Sequence, residues 1–183
     1  MHEKNQELEP FLMSVERRAF RIALIATKNT EDALDIVQEA MFGLARRYSS
    51  KPEKEWKVLF FKILQTKIRD WYRRNTVRSR FRLWLGKFTK TEADEEKDPF
   101  SSIADPAAEN PANRTIQKDS LKAITSALYT LPLRQQQVFL LRAWEDMSVS
   151  ETAKAVGCSE GSVKTHYSRA VHTLREILEG RVS

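Results

Sequence analysis

Between residues 91 and 116 the chain changes character, and that change limits what it can fold into. Glu92, Asp94, Glu95, Glu96 and Asp98 form an acidic run, and three of the six prolines follow at Pro99, Pro106 and Pro111. Proline lacks an amide donor and breaks helix and strand alike, while repeated like charge resists collapse. The stretch reads as a solvated, flexible tether, with a segment that folds on its own as the alternative. A chain of 183 residues is thereby divided into two small units, 8–90 and 117–180, joined by the acidic linker 91–116.

Both units read as helical. Phe11, Leu12, Val15, Ala19 and Phe20 recur near the 3.6-residue period. Asn29 and Thr30 then supply a cap, with Glu31 and Asp32 in the following first turn. Ala33, Leu34, Val37, Ala40, Met41 and Leu44 fall on one side of the next helix, and Pro52 opens a third long one, where proline is tolerated. No segment alternates as a strand would, so the fold class is all-α.

Composition narrows the function classes. The net charge of +6 suits a polyanionic partner without proving one. The single cysteine, Cys158, cannot form an internal disulfide, which suits a reducing cytoplasm. His2, His166 and His172 have no ligand cluster around them, so neither a metal site nor a cofactor is expected. The polar, acidic start is no signal peptide, and no apolar run approaches the roughly 20 residues that span a bilayer.

The sharpest local pattern lies in residues 149–168. Thr152 and Ala153 sit on a short helix, Gly157 permits the left-handed turn that ends it, and Ser159 caps a second helix with Glu160 in its first turn. Val163 and Tyr167 would pack the second helix onto the first. This is a helix-turn-helix, with the second helix offered to a DNA major groove. Its outward positions are Ser162, Lys164, Thr165, His166, Ser168 and Arg169, hydroxyls and cations suited to base edges and phosphates. A three-helix packing module with a solvated face is the alternative. Trp144 reads as a core or lid residue, and Cys158 as a small packing residue in the turn.

In the first unit, residues 53–75 interleave Trp56, Phe60, Phe61, Trp71 and Tyr72 with Lys57, Lys62, Lys67, Arg69, Arg73 and Arg74. Rings stack on unpaired bases and cations neutralise phosphates, as a single-stranded nucleic acid requires. Phe60, Ile63 and Leu64 read instead as core, while Lys62, Gln65, Lys67, Arg73 and Arg74 lean to DNA. Further cations at Arg78, Arg80, Arg82, Lys87 and Lys90 would add salt-dependent affinity. Glu31, Asp32, Asp35 and Glu39 form an acidic patch on the preceding helix. It would meet a basic protein surface, or it simply complements the helix dipole.

Two ordered blocks resemble the extracytoplasmic-function (ECF) RNA polymerase sigma factors of bacteria. The first is Asp35-Ile36-Val37-Gln38-Glu39-Ala40 with the long helix ending Asp70-Trp71-Tyr72-Arg73-Arg74, similar to sigma region 2. The second runs from Leu131-Pro132 through Phe139-Leu140-Leu141-Arg142 and Ser148-Val149-Ser150-Glu151-Thr152-Ala153 to Gly161-Ser162-Val163-Lys164-Thr165, similar to sigma region 4.

The resemblance implies a specificity subunit that is itself no enzyme. Asp32, Asp35, Gln38 and Glu39 would grip the clamp helices of the largest subunit of core RNA polymerase, with the polymerase flap as a further contact. Ser49, Ser50, Lys51 and Trp56 would belong to the loop region that captures an unpaired base of the −10 promoter element. Lys62, Gln65, Lys67, Asp70, Arg73 and Arg74 would line the melted strand. Ser159, Ser162, Lys164, Thr165, His166, Ser168 and Arg169 would read the −35 duplex. The linker would thread the RNA exit path, and an anti-sigma factor, often at the inner membrane, would hold the protein inactive.

The sequence departs from the family at Leu59-Phe60-Phe61, at Thr66 where asparagine is common, and at Lys164 where arginine is frequent. Lysine cannot grip guanine in the bidentate way of arginine, so these changes bear on the promoter read. A simple helix-turn-helix regulator would explain the second block but not the first. A nuclease would need carboxylates converging on a metal, and the densest acids lie in the linker.

Overall fold

The computed structural model describes residues 2–85 and 122–180, with side chains for 7–77 and 122–180. The linker and the cations from Arg78 to Lys90 lie outside the residues whose side chains are described. Among the described residues every regular element is a helix: α1 (His2–Thr27), α2 (Thr30–Tyr48), α3 (Glu53–Leu85), α4 (122–130), α5 (Leu133–Ala143), α6 (Val149–Val156) and α7 (Glu160–Glu179).

The breaks between helices follow local chemistry. Lys28 adopts a left-handed φ of 55° that stops α1. One residue later the Asn29 side chain accepts the Asp32 amide at 3.0 Å, capping α2. Glu31 and Asp32 in the first turn of α2, and Arg46 and Arg47 in its last, complement the helix dipole. Ser148 and Glu151 form a reciprocal capping box at the start of α6, which holds the Glu151 carboxyl below the usual carboxylate range.

Helices α1, α2 and α3 form a three-helix bundle. Val15, Ala19 and Ile22 from α1, Ala33, Val37, Ala40 and Leu44 from α2, and Trp56, Phe60, Phe61, Leu64 and Ile68 from α3 are buried. Each large side chain removed from water contributes about 1.5–3 kcal/mol, so Phe60→Ala would cost roughly 3–5 kcal/mol. Gly43 lets α2 approach α3: a Cβ there would meet Ile63 Cγ2 at 3.2 Å. Helices α4 to α7 make the second bundle around Leu128, Val138, Leu141, Val156, Val163 and Ala170. The two bundles are not separate in space, because their buried residues join one continuous apolar cluster and α6 packs on α3.

Several sequence expectations change here. Leu34, expected with the inward residues of α2, is exposed. Trp144, expected in the core or as a lid, is 37% exposed. Tyr167 is half-buried and stacks on Phe139 of α5, with ring centroids 6.0 Å apart, a partner the sequence did not mark.

Candidate nucleic-acid interface

The helix-turn-helix is built from its caps inward. Gly157 closes α6 in the left-handed conformation with φ 71°. The Ser159 hydroxyl then accepts the Ser162 amide at 3.1 Å and starts α7. Thr152 and Ala153 are buried between the helices, and Val163 fills the space opposite. On the outer side of α7, Lys164, Thr165, Ser168 and Arg169 are exposed, as is Ser159 at its start, whereas Ser162 and His166 are half-buried. The Ser162 hydroxyl already shares a hydrogen bond of 2.9 Å with Ser159. The Thr165 hydroxyl donates to the Gly161 carbonyl at 3.0 Å, so the exposed polar face is Lys164, Ser168 and Arg169, with Thr165 exposed beside them but bonded to its own helix.

Helix α3 divides the other expected contacts. Lys62, Asp70, Arg73 and Arg74 are exposed, and Ser50 and Lys51 lie open in the loop after α2, with Ser49 half-buried beside them. Trp56 is a correction. It is 2% exposed, its indole N–H donates to the Tyr48 carbonyl at 3.2 Å, and its ring packs near Phe11. It braces the loop from behind and presents no ring to a base. Gln65 is a second correction: at 0% exposure it is covered by the C-terminal bundle, whose Gln137 side chain donates to the Gln65 carbonyl at 3.3 Å. Of the rings on α3 whose side chains are described, Phe60 and Phe61 are also core, which leaves Tyr72 exposed and Trp71 half-buried, next in sequence to Arg73 and Arg74.

On α2, Asp35, Gln38 and Glu39 are exposed and Asp32 is half-buried. The acidic patch and the basic helix meet in a groove of about 260 Å³ lined by Asp32, Asp35, Glu39, Lys67, Trp71 and Arg74. Within it Lys67 Nζ pairs with a Glu39 carboxylate oxygen at 2.5 Å. Lys67, expected on the DNA face, is thus shared with the acidic face. Sequence reasoning missed Phe42, which is 73% exposed on α2, about one turn from Gln38 and about two turns from Leu34. The signal was available: at 100° per residue Phe42 falls about 200° round from Ala40, away from the buried stripe.

Polar links join the bundles beside that shared apolar cluster. Arg69 Nη1 donates to the Val156 carbonyl at 3.1 Å, and Arg134 donates to the same oxygen at 2.7 Å. Burial, with Arg134 close by, lowers the pKa of the Arg69 guanidinium from its ordinary value. Glu145, in the loop between α5 and α6, lies 3.4 Å from Arg18 of α1, and its backbone carbonyl accepts from Lys57 of α3. Burial raises the Glu145 carboxyl above its ordinary pKa, against the pull of Arg18 and Lys57. Both Gln65 side-chain polar atoms, the Gln137 amide oxygen and both Glu145 carboxylate oxygens are buried without a hydrogen-bond partner. Each such group opposes burial by about 1–3 kcal/mol.

Among the described residues no group of three His, Cys, Asp or Glu side chains could hold a metal ion, and no helix is long and apolar enough to cross a membrane.

Known proteins place this geometry. The profile of sigma-70, region 4 matches residues 121–174, which hold the helix-turn-helix. The chain is 30% identical over 181 residues to the RNA polymerase sigma-E factor of Streptomyces avermitilis, covering 98% of this chain and 89% of that protein. It is 27% identical over 165 residues to the ECF RNA polymerase sigma factor SigX of Bacillus subtilis, covering 87% and 76% of the two chains. Its fold matches the sigma factor RpoE of Bartonella quintana, solved in complex with the anti-sigma factor NepR, with a TM-score of 0.67 at 20% identity over 95% of this chain and 98% of that one. It also matches CnrH, solved with the cytosolic domain of CnrY, with a TM-score of 0.59 at 19% identity over 96% and 90% of the two chains. Sequence kinship over nearly the full length, joined to the helix-turn-helix where region 4 belongs, identifies the chain as a member of the extracytoplasmic-function RNA polymerase sigma factors, which serve promoter-directed transcription initiation.

Proposed function

We propose that this sigma factor acts by binding alone, with its N-terminal unit docking on core RNA polymerase and capturing unpaired −10 bases while its C-terminal unit reads the −35 duplex. The observation that carries the reading is the exposed face of α7, where Lys164, Thr165, Ser168 and Arg169 project from a capped helix-turn-helix. Such a helix fits a major groove, and its cations add affinity for phosphate.

Core polymerase would meet α2, where Asp35, Gln38 and Glu39 are exposed along with the apolar Leu34 and Phe42. An apolar centre with a charged rim is the usual anatomy of a protein interface. Unpaired bases would meet the loop at Ser49, Ser50 and Lys51 and the end of α3, with Tyr72 and Trp71 as stacking rings and Lys62, Arg73 and Arg74 as phosphate partners. Tethering both units to one polymerase raises their effective concentration, so neither needs high affinity alone. The solved relatives bound to anti-sigma factors support an anti-sigma partner, and a cytoplasmic location follows from acting on the polymerase.

Run-off transcription with purified core polymerase and a promoter library tests the reading. Addition of the chain redirects initiation to a subset of promoters sharing −35 and −10 sequences. Unchanged start sites would refute it.

A further inference from the structure

Arg142, in the last turn of α5, holds three parts of the C-terminal bundle at once. Its Nη1 donates to the Met147 carbonyl, in the loop that leads into α6. Its guanidinium carbon lies 5.8 Å from the centroid of the Tyr167 ring on α7, a cation–π contact. Phe139, one turn earlier on α5, stacks on the same ring, with centroids 6.0 Å apart and planes 17° from parallel. Residues three apart on a helix are neighbours, so Phe139 and Arg142 form one seat for Tyr167.

The loop is held by the same end of α5. The Met147 amide donates to the Leu141 carbonyl at 3.0 Å, so both backbone polar groups of Met147 are bonded to α5. The Met147 side chain is fully buried, and Ser148, next in the chain, caps α6. The start of the first helix of the helix-turn-helix and the seat of the second are thereby fixed by one guanidinium.

Tyr167 lies on the back of α7. At 100° per residue it is about 160° round the helix from Arg169. Val163, Ala170 and Leu174 bury the same helix, but apolar contact is non-directional. A stacked ring and a planar, fork-shaped guanidinium have a set geometry, and a ring gripped from behind fixes the rotation of α7 about its own axis. Rotation matters more for bases than for phosphates, because base edges demand directed hydrogen bonds.

We propose that Arg142 is a positioning residue for −35 recognition: with Phe139 it seats Tyr167, and so sets the rotation at which α7 presents Lys164, Ser168 and Arg169 to the groove. Resting on the sigma reading above, this adds a residue that governs promoter choice without touching a base. The half-buried guanidinium is spent on Met147 and Tyr167 inside the bundle.

The test compares holoenzyme binding to a −35 duplex that it selects from a random library and to the same duplex with that element scrambled. Arg142→Lys keeps the charge and loses the fork that spans the Met147 carbonyl and the ring. Preference for the selected duplex falls by roughly fivefold or more, as when one base contact is lost. Affinity for the scrambled duplex changes by less than about twofold. Tyr167→Phe keeps the stacked ring and the preference, whereas Tyr167→Leu loses the preference as Arg142→Lys does. The double variant Arg142→Lys with Tyr167→Leu loses no more than either alone, because both remove the same seat.

A second readout needs neither DNA nor polymerase. In the free chain the Phe139 ring shifts the Tyr167 ring protons in the nuclear magnetic resonance spectrum, and in Arg142→Lys these signals move toward ordinary tyrosine positions. Unmoved signals overturn the proposal, and so does a preference retained by both Arg142→Lys and Tyr167→Leu. Rescue by lysine with uniform loss in Arg142→Gln, on selected and scrambled duplex alike, would make Arg142 a phosphate contact and overturn it too. Should Arg142→Lys lose its helical circular dichroism, the contrast between Tyr167→Phe and Tyr167→Leu decides alone. The ring signals are read in isolation, so their outcome is distinct from a failed run-off assay.

Discussion

Arg69 on α3 donates from Nη1 to the carbonyl oxygen of Val156 at 3.1 Å, joining residues 87 apart in sequence. Val156 is the last residue of α6, where helix carbonyls lack intrahelical donors and attract cations. A guanidinium from the N-terminal bundle therefore helps cap the first helix of the helix-turn-helix. Arg134, from the C-terminal bundle itself, donates to the same oxygen at 2.7 Å.

That double satisfaction separates the two arginines. Arg69→Ala leaves Val156 still bonded to Arg134, so the loss is the contact between bundles, about 1 kcal/mol for a partly exposed charged bond. Urea unfolding followed by circular dichroism shows a small drop, while hydrogen exchange rises at the seam between α3 and α6. A large global loss would mean the arginine supports the core.

Gly157→Ala tests the turn. The added Cβ would lie 3.6 Å from Arg69 Nη1, an ordinary contact, so space is not the difficulty. The φ of 71° is, and a side chain there costs about 1–2 kcal/mol. The expected outcome is a lower unfolding midpoint and weaker binding to −35 duplex, with Gly157→Asn retaining more of both.

Phe42→Ala separates docking from folding. The ring is 73% exposed, so its loss changes the stability of the free chain by less than about 0.5 kcal/mol. An aromatic anchor in an interface is worth about 2 kcal/mol or more. Affinity for core polymerase falls more than tenfold while the unfolding curve stays in place; the reverse pattern would remove Phe42 from the docking face.

Glu145 gives the folded chain a pH-dependent contribution to stability. Burial raises its carboxyl above the ordinary value of 4.5, while Arg18 and Lys57 pull the other way. The folded state thus binds the proton more tightly than the unfolded one. The contribution is fully present below 4.5 and is lost as pH rises through the raised value. The urea midpoint of the chain, measured relative to that of Glu145→Gln, rises on acidification through that window; a difference that stays flat would contradict it.

The parts legible in the sequence were those that depend on near neighbours. Asn29, Gly157 and Ser159 act within three or four residues, so the start of α2, the end of α6 and the start of α7 could be read directly, whereas the Ser148 cap of α6 was not. The two-unit plan came from the acidic, proline-bearing run at 91–116, and the resemblance gave each unit its sigma region. The contact between bundles was hidden, because Gln65 and Gln137 are 72 residues apart and nothing local marks them as partners. Helix α3 is the hard case: packed by α1 and α2 on one side and by α6 on another, its aromatics lose the one-sided pattern that sorts inside from outside. Trp56 was consequently read as a DNA contact when it is core. Leu34 and Phe42 are the reverse, apolar side chains on an open face.

Site-specific photocrosslinking in an open promoter complex tests the division of labour most directly. Probes at positions 164 and 62 are placed on α7 and α3 of the full chain assembled with core polymerase. The account predicts that the probe replacing Lys164 marks duplex at the −35 element while the probe replacing Lys62 marks the unpaired strand near −10. Crosslinks from both probes to one short segment, or none from position 62 to unpaired bases, would contradict it.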